Sequence, residues 1–184
     1  MQSLIQKLVE TTGPSGYEAA IREAIRLEVE PLADEVRVDA LGSLIAVKGQ
    51  AREGGCKIML AAHMDEIGVI ATHIDENGFV RFTTLGGVRR HALTGGRVRF
   101  LNGAGGVIYY ENLEDPNRLP TFEQMYIDVG ARSRAECPVK VGDVAAFERP
   151  FSEVGSRLIA KSMDDRIGVA VPLHIGGSRH KAAS

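Results

Sequence analysis

Apolar residues recur along the first third of the chain at helical spacing and then at strand spacing. Leu4, Ile5, Leu8 and Val9 follow the i, i+3, i+4 rule of an amphipathic helix, which the turn-forming run Thr12 to Gly16 breaks. Ala20, Ile21, Ala24, Ile25 and Leu27 predict a second helix within Tyr17 to Leu32, with Ser15 and Glu18 spaced as a capping box and Pro31 near its end. Glu35 to Ala40 and Gly42 to Gly49 are short β-branched runs separated by a turn. Cys56 to Asp65, "CKIMLAAHMD", is apolar almost throughout, which predicts a strand covered on both faces by helices.

Beyond Gly68 short alternating runs recur between glycine-marked turns, the pattern of a small all-β barrel or sandwich. Within it, Glu111 to Gln124 reads as a long exposed loop, Arg132 to Cys137 as a single helical turn, and Gly103 to Ile108 as a hairpin turn rather than a nucleotide loop. Arg97 and Arg99 alternate with Val98 and Phe100, as on one solvated strand face. From Arg157 the chain reverts to a strand, a charged turn and a helix. The expected organisation is an α/β domain formed by residues 1–68 and 156–184, with residues 69–155 as a β insert. Because inserted domains enter and leave through neighbouring points, this places Asp164 close to His63.

Composition narrows the classes of function. The 184 residues are 44% hydrophobic and 25% charged, as in a globular protein, and 22 basic against 24 acidic side chains create no basic field for nucleic acid. No apolar run nears the roughly 20 residues of a membrane span, and the N-terminal segment lacks the pattern of a signal peptide. The two cysteines, Cys56 and Cys137, fit no metal-ligand spacing and are expected to be reduced, in a cytoplasmic protein.

Two short motifs could carry chemistry. On an extended strand His63 and Asp65 share a face at the carboxyl end, where α/β sheets bind ligands, so His63 could bind a metal while Asp65 orients its ring. A lone His-x-Asp also arises by chance, as a half-buried histidine beside a turn-capping aspartate. Asp164 and Asp165 begin the last helix; adjacent aspartates there commonly cap it, yet one could bridge two metal ions, since a carboxylate has two oxygens.

Taken in order, "GPSGYE", "LAAHMDEIG", "IDENGFVRF", "LGG", "VKVGD" and "KSMDDRIG" resemble the tetrahedral (TET) aminopeptidases, a dinuclear-metal family that also contains glutamyl aminopeptidases and proteins labelled cellulase M or endoglucanase. The resemblance covers nearly all of residues 1–171. It implies a phosphorylase/hydrolase-like three-layer α/β catalytic domain with a β-barrel-like insert used in homo-oligomer assembly. It implies two zinc or cobalt ions, with His63 and Asp164 as ligands, Asp164 bridging, and Asp65 as the catalytic aspartate behind His63. The implied reaction is removal of N-terminal residues from peptides by metal-activated water.

The final part departs from that family. The family's later features, a strand ending in Glu-Glu that includes a glutamate general base, a further metal-binding aspartate and a histidine ligand near the C-terminus, are not matched here, and no acidic residue follows Asp165. Pro172, Gly176 and Gly177 predict that the helix breaks, and His174 and His180 read as part of a solvated tail. The α/β domain is therefore expected to be incomplete, and this chain alone inactive or nearly so. The alternative, from a different class, is a non-catalytic assembly remnant whose β insert forms a stable oligomer without metal. Polysaccharide hydrolysis, suggested only by the family's older labels, leaves His63 without a role.

Overall fold

The computed structural model describes residues 1–50, 54–115 and 117–180, and they fall into two compact units, residues 1–65 with 151–184 and residues 66–150. In the first unit, α1 spans Gln2–Glu10 and α2 spans Ala19–Val29. Their apolar stripes bury Ile5, Leu8, Val9, Ile21 and Ile25. The expected capping box does not form as spaced: Glu18 is itself the N-cap, and its carboxylate accepts from the Gly16 N–H at 2.5 Å. The turn that begins at Thr12 therefore runs two residues further before the helix starts. Pro31 lies in a 3-10 turn, Glu30–Leu32, that closes α2.

Strands β1 (Glu35–Val38) and β2 (Leu44–Val47) pair antiparallel, Glu35 opposite Val47 and Val38 opposite Leu44. Asp39 ties their turn, accepting from the backbone N–H groups of Leu41 at 2.9 Å and Ser43 at 2.8 Å.

The stretch Cys56 to Asp65, expected as a doubly covered strand, is not one: it forms no ladder, and Ile58 and Met59 are 82% and 87% exposed. An extended segment becomes a strand only when neighbours accept its backbone hydrogen bonds. Among the described residues of this unit, β1 pairs only with β2, so no strand lies beside it.

The last helix also departs from expectation. After the hairpin β9 (Ser152–Val154) and β10 (Arg157–Ile159), α3 runs Met163–His180 straight through Pro172. A proline inside a helix costs about 3 kcal/mol. Burying Val169, Ala170 and Leu173 in the same core as α1 offsets it, since each large apolar side chain contributes roughly 1.5–3 kcal/mol. The expected solvated tail is thus helical to His180, and residues 181–184 lie outside the described residues.

The second unit is a closed antiparallel barrel in the order β3-β4-β7-β6-β5-β8. Its strands are β3 (Gly68–Ile74), β4 (Val80–Leu85), β5 (Arg97–Phe100), β6 (Gly105–Tyr110), β7 (Met125–Asp128) and β8 (Val144–Phe147). Closure removes the free edges that make small sheets prone to association. Alternate residues fill the interior, among them Val69, Phe82, Val98, Phe100, Ile108 and Ile127. Arg97 and Arg99 face outward, and Arg99 pairs with Glu148 at 2.7 Å. Loop 111–124 ends in a 3-10 turn, Phe122–Gln124, capped by Thr121, and Arg134–Glu136 forms the expected single turn. The barrel half of the expected architecture is present, while the helical unit holds two separate hairpins among its described residues.

Candidate metal centre

His63, Asp65 and Asp164 come together within the first unit, although 101 positions separate His63 from Asp164. His63 Nδ1 lies 2.9 Å from Asp65 Oδ1, and Nε2 lies 3.2 Å from Asp164 Oδ1. In a neutral ring the Asp65 contact fixes the proton on Nδ1 and turns the Nε2 lone pair toward Asp164, the tautomer a metal-ligating histidine needs. Partial burial pushes the His63 pKa down, but its hydrogen bonds to Asp164 and Asp65 outweigh this and hold it above the ordinary histidine value. The imidazole therefore sits between two carboxylates that favour its cation when no metal competes.

The two aspartates of the acidic pair divide their work. Asp164 projects outward, its side chain 97% exposed, with Oδ1 toward the His63 ring. Asp165 turns back along the helix, where its Oδ1 accepts the Gly168 N–H at 3.0 Å, an N-terminal cap. Both residues have non-helical backbone angles, so regular helix begins after them. That break separates the two carboxylates: a regular helix would turn consecutive side chains only about 100° apart around one axis. Gly168 makes the arrangement sterically possible, because a Cβ there would lie 2.2 Å from Asp165 Oδ1.

A cavity of about 620 Å³ opens beside the ring, bounded by Ile25, Leu44 and Val169 on its apolar side and by Glu18, Asp65 and Asp165 on its polar side.

A divalent ion places demands on donor type, spacing and number. Type and spacing fit: ligands about 2.1 Å from a tetrahedral zinc lie roughly 3.4 Å apart, close to the 3.2 Å between Nε2 and Oδ1. Number does not complete the set. Among the described residues no group of three or more His, Cys, Asp or Glu side chains could hold an ion, whereas a catalytic zinc takes three protein ligands. His174 is exposed on α3. The arrangement brings one imidazole nitrogen and one carboxylate oxygen together, with a second carboxylate on the far side of the ring.

Sequence reasoning missed Arg166. It is fully buried, and its guanidinium donates to the carbonyls of Met64, Leu8 and Thr11. The signal was in the register: Arg166, Val169, Ala170 and Leu173 stand at i, i+3, i+4 and i+7, which places a charge in the buried stripe of α3.

Comparison with known proteins shows the family. A family model for the M42 glutamyl aminopeptidases matches residues 42–182, so the chain belongs to the M42 glutamyl aminopeptidase family. A protein of Acetivibrio thermocellus that carries an aminopeptidase name is 49% identical over 174 residues, 93% of this chain and 52% of the relative. An aminopeptidase of the archaeon Desulfurococcus kamchatkensis superposes with a TM-score of 0.89 at 34% identity, over 96% of this chain and 51% of its own. The TET1 peptidase of Pyrococcus horikoshii, described as able to assemble into a tetrahedron or a large octahedral shell, gives 0.82 at 33% identity over 96% and 56%. The chain spans about half the length of the curated relatives it matches. No helix among the described residues is long and apolar enough to cross a membrane.

Proposed function

We propose that this chain carries part of the catalytic centre of a cytoplasmic, metal-dependent aminopeptidase, in which His63 and Asp164 bind divalent ions, zinc or cobalt, and Asp65 orients His63. The observation that supports this most is the two-sided hold on the ring: a carboxylate on Nδ1 fixes the tautomer while a second, far away in sequence, faces Nε2. Free Cys56 and Cys137 fit a reducing compartment. When bound, such ions polarise a scissile carbonyl and lower the pKa of a water. The chain's own contribution is to present Nε2 and Oδ1 to one point in space, to hold the Nδ1 proton on Asp65, and to keep Asp165 on the helix cap. Asp164, exposed and with two oxygens, is the residue able to bridge a pair of ions.

By itself this chain turns over peptides at a negligible rate, because the described residues supply two donors where three are needed. A complete three-layer α/β domain would need further strands beside residues 56–65. Release of N-terminal residues from a mixed-sequence peptide pool, measured by mass spectrometry with zinc or cobalt present, is the test. Negligible release is expected, and turnover at ordinary aminopeptidase rates would overturn this reading.

The barrel supports a second, compatible proposal: homo-oligomer assembly through residues 66–150. It has a closed sheet and its own core, and the Pyrococcus horikoshii relative is described as a shell-forming peptidase. Native mass spectrometry with and without a chelator distinguishes the readings. An oligomer that survives chelation supports assembly by the barrel, and a monomer in both conditions refutes it.

A further inference from the structure

Arg166 follows Asp164 by two residues but points the opposite way, into the core, where it is 0% exposed. Its Nε donates to Met64 O at 2.7 Å, and its Nη1 donates to Thr11 O at 2.8 Å and to Leu8 O. Met64 is the residue between His63 and Asp65, so the guanidinium grips the backbone of the His-x-Asp segment from behind. Leu8 lies in the last turn of α1 and Thr11 is its C-cap, where helix carbonyls lack partners and a cation is favoured.

One side chain thus ties three stretches remote in sequence: the end of α1, the segment bearing His63 and Asp65, and the start of α3 that bears Asp164. Residues 56–65 form no strand ladder that could hold His63 in place, so this tie does the work that a sheet would otherwise do.

We infer that Arg166 is a positioning residue for the proposed metal centre: by anchoring Met64 O to the start of α3 it sets the separation of His63 Nε2 from Asp164 Oδ1. The inference rests on the metal reading given above. It makes a chemical demand that charge alone does not meet, because Nε and Nη1 donate in different directions from one rigid plane, whereas a lysine offers a single flexible point charge.

The test compares wild type with Arg166→Lys, using Leu173→Ala as a control that weakens the same helical core without touching Met64 O. Urea unfolding first establishes conditions in which all three proteins are folded. Zinc affinity is then measured by calorimetry, and the mobility of the Met64 methyl group is measured in metal-free protein by NMR after methionine labelling.

Arg166→Lys is expected to bind zinc at least about tenfold more weakly than Leu173→Ala at equal stability, with Met64 more mobile than in the control. Equal affinities and equal Met64 mobility in the two variants would show that Arg166 only stabilises the fold, and would overturn the inference. If wild type binds no zinc, the metal reading itself fails. The Met64 comparison then still decides whether Arg166 positions the segment.

Discussion

Gly168→Ala should change sign as a mutation depending on whether Asp165 is present. In wild type the new Cβ would lie 2.2 Å from Oδ1 and 2.6 Å from both Cγ and Oδ2 of Asp165. Rotating the carboxyl about its own bond cannot relieve contacts to all three atoms, so the whole group must swing away and the bond from Gly168 N–H is lost. Losing an N-terminal cap costs about 0.5–2 kcal/mol. Alanine returns up to about 1 kcal/mol through its better helix propensity, and less than that so near the helix start. The clash adds to the cost, so the net effect is destabilisation by about 1 kcal/mol or more, in the range of overpacking. In Asp165→Ala the cap is already gone, and with it the three atoms that crowd the methyl group. There the same substitution should stabilise, by up to about 1 kcal/mol. Urea unfolding of the four proteins of this cycle, followed by circular dichroism at a helix-sensitive wavelength, reads both steps. A stabilising or neutral Gly168→Ala in wild type, or the same sign in both backgrounds, would refute the assignment of Asp165 as the cap.

Other consequences concern the frame around the site. In the barrel, a Cβ on Gly106 would lie 2.4 Å from Ile127 Cγ2. Gly106→Ala should therefore destabilise by about 1–3 kcal/mol and Ile127→Ala by about 2–5 kcal/mol, while the double variant falls short of their sum by at least about 1 kcal/mol, read by tyrosine fluorescence during unfolding. In the β1–β2 turn, the backbone N–H of Ser43, with that of Leu41, holds the Asp39 carboxyl below the usual carboxylate value. A depressed pKa stabilises above the unfolded value, near 3.9, and its contribution disappears as pH falls through the folded value. Asp39→Ala should lower the melting temperature at neutral pH, and the gap to wild type should close in increasingly acid solution; a gap independent of pH would contradict this.

The elements that the sequence made legible are those whose stability is local or closes on itself. Both early helices followed from Leu4 to Val9 and Ala20 to Leu27, because each carries an apolar stripe that matches one core. The barrel followed from its turn glycines and alternation, since every strand finds a neighbour within residues 66–150. Two misreadings have a common cause: local composition does not show whether a distant partner is present. Residues 56–65 have strand composition without an adjacent strand to bond, and α3 continues past Pro172 because Leu173 is held against α1. At the site, His63, Asp65 and Asp164 were named through the resemblance of six ordered motifs to a known family, because the spacing of two short motifs alone also arises by chance. Arg166 was passed over because its carbonyl partners lie 102, 155 and 158 positions away, which no short motif displays.

Whether His63 and Asp164 are donors to a divalent ion is read by equilibrium dialysis against zinc, followed by elemental analysis per chain. Wild type should bind zinc weakly, as befits two protein donors, and both His63→Ala and Asp164→Ala should reduce binding to background under conditions in which they remain folded. Zinc bound equally by wild type and both variants, or by none of the three, would contradict the account.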